Sequence, residues 1–376
     1  MDLDFTEQQA MLQKSARDFL EKECPITLVR ELDKDSKGFS VELWRKVAQL
    51  GWLGMPFPEE YGGTGGNFID LMILNYEMGR AVFQGPFLST VVLSGLTILD
   101  AGSKEQKRQL LPQIAEGERI IAFVLTEPSA RFDAAGVKLR ATSKGDGYVL
   151  NGTKLFVRDA HIADQLLVVA RTGRGSGEQG ITVFLVDARS PGVTMTQLKS
   201  IGTDRQSEIV FKNVKVPASN VVGPVGGGWP AIARALERGA LGLCAEMVGG
   251  AEKALEMTVA YAKQRVQFGV PIGSFQAVQH RCADMLTDVD TSRLMTYYAA
   301  WKMSEGIPCT LEVSQAKAWI SNAYKRVVRS GHQVHGGAGY IQEHNLQFFF
   351  RNAKASEHYF GDANYHKKQV QKCLGY

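Results

Sequence analysis

Three side chains that could bind a ligand lie just after one predicted helix and before another that begins at Gln276. They are Arg265, Gln267 and Phe268. A guanidinium can bind an anionic pyrophosphate through paired hydrogen bonds, and an amide and an aromatic face suit the rest of a nucleotide. Glycines and a proline mark the turn between the helices. The segment predicts a site for a phosphate-bearing ligand, although a solvent-facing arginine at a helix end would give the same pattern.

Other catalytic and binding motifs are absent from the sequence. No Gly-x-Gly-x-x-Gly follows a strand, no P-loop is present, and no Gly-x-Ser-x-Gly supplies a nucleophile. The glycine-rich stretches 62–66 and 226–228 lie between elements and are interpreted as turns. His332 and His335 are three residues apart, but no third ligand has metal-binding spacing. We therefore expect no metal, and any dinucleotide must be bound by another route.

Composition limits the class of protein. Of the 376 residues, 44% are hydrophobic and 22% are charged, and the net charge of +4 comes from interleaved cations and acids. Nucleic-acid binding is therefore not expected. No apolar run reaches the roughly 18 residues of a membrane span, and the polar N-terminus does not resemble a signal peptide. The five cysteines are widely spaced without a Cys-x-x-Cys pair, which indicates a reduced, cytoplasmic protein.

Three regions must position these residues. Residues 1–120 are predicted to be helical, residues 121–225 to form a compact, mostly antiparallel β domain, and residues 226–376 to be helical again. The order of helices, strands and helices excludes regular β-α alternation and therefore a Rossmann fold. We expect an α+β multidomain protein.

Local patterns predict several element boundaries. Capping boxes at Thr6–Gln9 and Ser103–Gln106 predict two helix starts. Asn151-Gly152 predicts a two-residue turn that joins two strands. Three long helices are predicted after residue 226, and Thr310 is the expected N-cap of the third.

Five ordered motifs make the whole chain resemble the acyl-CoA dehydrogenase family. They are Pro58–Gly63, Thr126–Pro128, Asn151–Lys154, Arg265–Gly269 and Gln333–Tyr340. The resemblance implies a helical N-terminal domain, a middle β domain and a C-terminal four-helix bundle, assembled as a homotetramer or heterotetramer. It also implies FAD between the middle and C-terminal domains.

The resemblance further assigns cofactor-binding residues. Thr126 and Phe156 are expected to face FAD from the β domain, and Asp362 is expected to face the flavin or to cap the last helix. An adjoining subunit is expected to complete the site from the two C-terminal motifs. Its contributions are Arg265, Gln267, Phe268, Gln333, Gly336 and Gly337.

The chain also departs from the family pattern. The run Ser129–Asp133 replaces the small residues that usually approach the cofactor phosphates, so Arg131 either contributes a charge there or faces solvent. Phe156 stands where a flavin-stacking Trp is common, and Arg158 stands where a Thr is common. These changes resemble a bacterial subgroup that acts on dicarboxyl, steroid side-chain or alicyclic CoA thioesters.

The implied reaction is α,β-dehydrogenation, in which a carboxylate removes the α-proton and the β-hydride passes to FAD. Phe360 occupies the position of the usual C-terminal Glu. Glu237 resembles the alternative base of other members, yet counting back from the next motif places that position on Gly239. Glu237 is our predicted base, although a paired surface charge is the alternative. Glu246, seven residues after Gly239, and Asp362 are further candidates.

Three functions follow. The first is an active dehydrogenase of a fatty, dicarboxyl, alicyclic or steroid side-chain acyl-CoA that passes electrons to an electron-transfer flavoprotein. The second is a flavin-binding subunit without its own base, either a partner in a heterotetramer or a lyase- or desulfinase-like enzyme. The third is a non-catalytic CoA-binding or structural subunit.

Overall fold

The computed structural model describes residues 4–376, and its N-terminal region is helical. Both predicted capping boxes are present, with Thr6 Oγ1 accepting from the Gln9 N–H at 3.2 Å and Ser103 Oγ accepting from the Gln106 N–H at 3.2 Å. Each such cap stabilises its helix by about 1 kcal/mol. The helices are α1 (Glu7–Glu23), α2 (Ile26–Lys34), α3 (Val41–Gln49), α4 (Phe68–Ala81), α5 (Leu96–Ala101) and α6 (Lys104–Ala115), with a π-helical segment, Phe87–Gly95, that runs into α5.

The middle region of the described chain forms one eight-stranded sheet in the order β6-β7-β3-β2-β4-β5-β8, with β1 beside β4. Its strands are β1 (Ile121–Val124), β2 (Arg140–Lys144), β3 (Gly147–Arg158), β4 (Gln165–Arg171), β5 (Ile181–Asp187), β6 (Val193–Leu198), β7 (Gln206–Pro217) and β8 (Val221–Val222). Neighbouring strands are antiparallel, except that β4 runs parallel to β1 and β2.

The turn predicted at Asn151-Gly152 is wrong, because both residues lie inside the continuous strand β3. The register of β3 against β7 shifts there, and Gly152 has a φ of 147°, so the glycine accommodates a β-bulge. The hairpin turn falls earlier, where Lys144 of β2 pairs with Gly147 of β3. Glycine suits the backbone of a bulge as well as that of a turn, and the dipeptide alone does not distinguish the two.

The chain returns to helices after β8. The elements are α7 (Trp229–Gln264), β9 (Val266–Gln267), β10 (Val270–Pro271), α8 (Gln276–Ser304), α9 (Thr310–His335), α10 (Gly337–Tyr340), α11 (Leu346–His358) and α12 (Ala363–Cys373). The predicted N-cap, Thr310, is instead the first residue of α9, and Cys309 takes the cap position. The succession of helices, sheet and helical bundle confirms the predicted fold class. The domain boundaries at residues 120 and 225 stay predictions.

Helices α4 and α7 cross with their backbones in contact. A Cβ atom at Gly79 would lie 2.0 Å from the Glu246 carbonyl oxygen, and one at Gly249 would lie 1.9 Å from the Tyr76 carbonyl oxygen. Only glycine permits this approach. The crossing fixes the rotation of α7 and therefore determines which of its residues face the sheet.

Candidate active site

A groove of about 800 Å³ lies between the sheet and helices α11 and α12. Thr126, residues 130–133 and Phe156 line it from the sheet, and Asp362 and Tyr365 line it from the helices. The cationic side chains along it are Arg131, Lys199, Lys354 and Lys368. A lining of this sign favours an anionic ligand.

An apolar cavity of about 50 Å³ adjoins the groove. Thr126, Phe132, Phe156 and Tyr359 line both spaces, so the cavity is the inner end of the groove. Leucine and phenylalanine side chains from β1, the π-helical segment and α7 complete its walls. None of the residues that line it, within the described chain, is an aspartate or a glutamate. An apolar pocket joined to a polar groove is typical of a site for a cofactor and a substrate.

The two positions at which the family resemblance places a catalytic carboxylate lie against each other beside this cavity. A Cβ atom at Gly239 would lie 2.8 Å from the Phe360 ring and 2.6 Å from Leu93 Cδ2. The Phe360 side chain is only 8% exposed, and it lines the cavity. The ring therefore packs into the space that the missing side chain at position 239 leaves free, and neither residue can accept a proton.

Two buried basic side chains hold the backbone turn at Phe360. Lys317 Nζ donates to the Gly361 carbonyl at 3.1 Å and also to two carbonyls at the end of α11. His366 Nε2 donates to the Phe360 carbonyl at 3.0 Å. Burial lowers the pKa of Lys317 to about 8 and the pKa of His366 to about 4. A charged lysine and a neutral histidine therefore fix this turn at pH 7.

A buried ion pair holds the Thr126 side of the cavity. Lys154 Nζ lies 2.9 Å from Glu127 Oε1 and donates to the Leu125 carbonyl at 2.7 Å. The same carboxylate accepts from the backbone N–H groups of residues 138–139. Burial lowers the pKa of Lys154 to about 8, while Glu127 acts in the opposite direction. The Thr126–Pro128 and Asn151–Lys154 motifs therefore occur together because one side chain from each forms this pair.

Strained backbone conformations cluster around the same space. Ala130, Phe156, Asp159 and Phe360 have positive φ angles of 51°, 57°, 60° and 58°. A left-handed conformation costs a non-glycine residue about 1–2 kcal/mol, and such residues concentrate where contacts hold a binding site in shape. The Phe156 ring is 45% exposed and lines the groove. Its backbone conformation presents a flat aromatic face to a ligand.

The predicted base, Glu237, does not line the cavity. Its Oε1 accepts from the Thr310 hydroxyl at 2.5 Å, at the start of α9. The preceding residue, Leu236, lines the cavity instead. Successive residues of a helix are about 100° apart, so the two side chains point in different directions. This geometry does not support Glu237 as the base.

The remaining residues that were predicted to bind the cofactor fall into two groups. Asp362 caps α12, because its Oδ1 accepts from the Tyr365 N–H at 2.8 Å, and it also lines the groove. The residues of the two C-terminal motifs are exposed, and none of them lines the groove of this chain. They are Arg265, Gln267, Phe268, Gln333, Gly336 and Gly337.

The two C-terminal motifs nevertheless lie close together. The Tyr261 ring stacks on the His335 ring with a centroid distance of 4.4 Å, which joins the end of α7 to the end of α9. Phe268 is 93% exposed beyond this contact. That an adjoining subunit uses the residues of these two motifs to bind FAD stays a prediction.

Sequence reasoning did not predict a polar cluster behind the apolar cavity. Arg158 and Tyr359 separate the apolar cavity from a second cavity of about 50 Å³, which Asp204 and Glu246 also line. The Tyr359 hydroxyl donates to Asp204 Oδ2 at 2.9 Å, and the Arg158 guanidinium lies 5.0 Å from the centre of the Tyr359 ring. Two features of the sequence indicate this polar cluster: Arg158 stands where a Thr is common, and Glu246 lies on the same helical face as Gly239.

The groove and the apolar cavity together fit FAD. The cations suit a pyrophosphate, the Phe156 ring suits a flat ring system, and Thr126 and Asp362 offer polar atoms. Arg131 is paired with Asp133 at 2.5 Å and is half-exposed, so it borders the groove without closing it. The altered Ser129–Asp133 run is therefore compatible with the cofactor.

The chain combines helices, a sheet and a helical bundle with a cationic groove that ends in an apolar cavity. Models of the acyl-CoA dehydrogenase N-terminal, middle and C-terminal domains match residues 6–118, 122–214 and 226–375. The chain belongs to the acyl-CoA dehydrogenase family, whose members are FAD-dependent oxidoreductases of carbon–carbon bonds.

Individual relatives cover almost the whole chain. The 3-(aryl)acrylate reductase of Clostridium sporogenes is 37% identical over 376 residues, 98% of this chain and 99% of the relative. The caffeyl-CoA reductase-Etf complex subunit CarC of Acetobacterium woodii is 35% identical over 98% of this chain and 97% of its own. The structure of butyryl-CoA dehydrogenase from Megasphaera elsdenii superimposes with a TM-score of 0.93 at 35% identity, covering 100% of both chains.

Two further observations concern the described residues. None of their helices is both long and apolar enough to cross a lipid bilayer. No group of three His, Cys, Asp or Glu side chains among residues 4–376 is arranged to hold a metal ion.

Proposed function

We propose that this protein oxidises or reduces the α,β carbon–carbon bond of an acyl-CoA thioester, with FAD in the groove and the acyl group in the apolar cavity. The observation that carries the proposal is the shared wall of the two spaces, formed by Thr126, Phe132, Phe156 and Tyr359. A cofactor in one space and an acyl group in the other are then in direct contact.

The acyl group is proposed to be short or planar. The cavity is small, about 50 Å³, and the buried Phe360 side chain forms part of its wall. The names of three relatives refer to butyryl, caffeyl and aryl-acrylate groups, which are short or flat. A steroid side-chain or large alicyclic substrate, which the resemblance also allowed, needs a larger cavity than this one.

Bound FAD supplies a two-electron acceptor or donor for the β-carbon. The residues of this chain bind and orient the thioester. The Phe360 N–H makes no hydrogen bond within residues 4–376, and it is therefore available to the thioester oxygen, where negative charge develops. Lys317 and His366 hold that N–H in place through the carbonyls of the same turn. The leucine and phenylalanine walls exclude bulk water from their side of the cavity.

Electrons are proposed to pass between FAD and an electron-transfer flavoprotein. The support is the family itself and the name of the Acetobacterium relative, which couples a reductase to Etf. The protein is proposed to form a tetramer in which Arg265 of one subunit reaches the groove of another. The exposed apolar side chains of this segment support this assembly, because several of them in one short stretch form a patch of the kind that marks an interaction surface. They are Val266, Phe268, Val270 and Phe275.

A second candidate is a subunit that binds flavin but lacks its own base and works beside a different chain. The facing pair of Gly239 and Phe360 favours it, because both expected carboxylate positions are lost together. In this case the isolated protein binds FAD yet reacts with no thioester.

An anaerobic titration distinguishes these functions. The FAD-loaded protein is mixed with butyryl-CoA, 3-arylpropionyl-CoA and a long-chain acyl-CoA, and the flavin absorption band is followed. We expect the first two to bleach the flavin and the long chain to fail. Bleaching by no thioester, together with stable FAD binding, supports the second candidate. Failure to bind FAD contradicts both.

A further inference from the structure

The second cavity, behind Arg158 and Tyr359, is surrounded by ionisable groups from every element packed against it. The groups that face Glu246 there are Arg158 and Asp159 at the end of β3, Asp204 before β7, Tyr324 on α9 and Tyr359 after α11. The cavity is separated from the apolar cavity only by the side chains of Arg158 and Tyr359, which line both. A polar space therefore lies one side-chain layer from the proposed reaction centre.

Most acids of the cluster already have partners. Asp204 accepts from the Tyr359 hydroxyl at 2.9 Å, and Asp159 Oδ2 accepts from the Ser89 hydroxyl at 2.5 Å. Glu246 differs, because only burial and longer-range charges act on its carboxylate, and no hydrogen bond or ion pair to it is found within residues 4–376. The Arg158 Nε is also buried without a partner. A carboxylate and a guanidinium N–H without partners therefore border the same small space.

Water is the natural occupant of such a space. A cavity needs roughly 10–15 Å³ to hold one water molecule, and the cavity here measures about 50 Å³. It therefore has room for a short chain of water molecules. Glu246 supplies an acceptor and Arg158 a donor that can hold such water in place.

We propose that Glu246 is the terminal proton acceptor of the reaction, connected to the acyl α-carbon by water held between Arg158 and Tyr359. This inference rests on the proposed function. In the oxidative direction the α C–H bond breaks, its proton passes to water, and that water's proton passes to Glu246. The electron pair of the α C–H bond forms the double bond, and bound FAD would supply the acceptor for the β-hydrogen and its electron pair. In the reductive direction every transfer is reversed.

The position of Glu246 agrees with this role. It lies seven residues after Gly239, about two turns along the same face of α7. Helix α7 therefore has no carboxylate at position 239, beside the apolar cavity, but has one at the second cavity behind it. Burial raises the pKa of Glu246 to about 7, although Arg158 opposes the shift. A group with a pKa near neutrality exchanges protons efficiently in both directions.

The test compares Glu246→Gln with a matched control, Glu252→Gln. Glu252 is on the same helix, but its carboxylate is paired with Arg80 and Arg293 away from both cavities. Two rates are measured in the FAD-loaded proteins, flavin bleaching by butyryl-CoA and exchange of the butyryl-CoA α-hydrogen with D₂O. The exchange reports α-proton removal independently of the hydride step.

We expect Glu246→Gln to retain FAD and to slow both rates on the order of 10²- to 10⁴-fold, the usual contribution of an acid–base group. The control should leave both rates unchanged. The parent rates should rise with pH through the neutral range as Glu246 ionises, and the glutamine variant should lose this dependence. If Glu246→Gln does not fold, Glu246→Asp should fold and show a lowered rate with a shifted pH profile.

The outcomes separate the two proposals. Parental exchange and bleaching in Glu246→Gln, with the parental pH profile, overturns this inference and leaves the proposed function intact. A parent protein that binds FAD but neither exchanges nor bleaches contradicts the inference and the proposed dehydrogenase activity together.

Discussion

The Lys154→Met variant tests how the Thr126 side of the site is held. Lys154 is fully buried, and its ammonium contacts Glu127 Oε1 at 2.9 Å and the Leu125 carbonyl at 2.7 Å. Methionine has nearly the same length but carries no charge. The substitution leaves a buried carboxylate without its counter-charge, which costs about 3–5 kcal/mol. Two backbone N–H groups still donate to Glu127, so we expect about 3 kcal/mol, a large part of the roughly 5–15 kcal/mol that holds a folded domain.

Urea unfolding followed by circular dichroism and FAD fluorescence measures this loss. The double variant Glu127→Gln, Lys154→Met removes the unpaired charge and keeps an oxygen for the two N–H groups. We expect it to recover most of the stability and to remain about 1 kcal/mol below the parent, because the Leu125 carbonyl still lacks its donor. Lys144→Met, at an exposed position on β2, serves as the control and should stay within about 0.5 kcal/mol of the parent.

The reasoning is refuted if Lys154→Met unfolds at the parental urea concentration, or if the two substitutions are additive. Additivity means that Glu127 and Lys154 do not interact. A second readout is FAD retention during gel filtration, which should fall in the single variant because Thr126 lies between Leu125 and Glu127.

The remaining predictions concern the Phe360 turn. Gly239→Ala should cost about 1–3 kcal/mol through overpacking, measured by urea unfolding, and Phe360→Leu in the same chain should relieve most of that cost. Phe360→Glu should make flavin bleaching by butyryl-CoA independent of Glu246, and an unchanged dependence on Glu246 would contradict it. Burial lowers the pKa of His366 from 6.5 to about 4, so the unfolded state binds more protons between these values. Stability attributable to His366 should therefore be complete above pH 6.5 and fall by about 2 kcal/mol on acidification to pH 5, and His366→Asn should remove this part of the pH dependence. Lys317→Met should destabilise the protein by about 2–3 kcal/mol, because the Gly361 carbonyl and two others lose their charged donor.

The sequence predicted what depends on local pattern. Capping boxes are local, so the starts of α1 and α6 were found correctly from pairs of residues three apart. The turn predicted at Asn151-Gly152 was wrong, because a β-bulge also accommodates the positive φ that this dipeptide prefers. Pairing with strand β7, about 60 residues later in the chain, determines that a bulge forms there instead of a turn. The N-cap predicted at Thr310 was wrong by one residue, because the Thr310 hydroxyl donates to Glu237 on α7 instead of capping α9.

The site itself was only partly accessible from the chain. Counting residues from the Arg265 motif selected Gly239. The structure brings Gly239 against Phe360, which lies 121 positions later in the chain, and no local sequence pattern predicts such a contact. The rotation of α7 excludes Glu237 from the cavity, and that rotation depends on the glycine contacts with α4. The cluster around Arg158 and Glu246 draws residues from five separate parts of the chain, and pattern and periodicity do not predict that these parts meet.

A crystal structure of the assembled protein with FAD and butyryl-CoA tests the account most directly. We predict FAD along the groove between Thr126 and Asp362, the thioester oxygen within hydrogen-bond distance of the Phe360 N–H, and Arg265 of an adjoining subunit at the pyrophosphate. A cofactor bound outside this groove, or an acyl group that does not reach Phe360, contradicts the account.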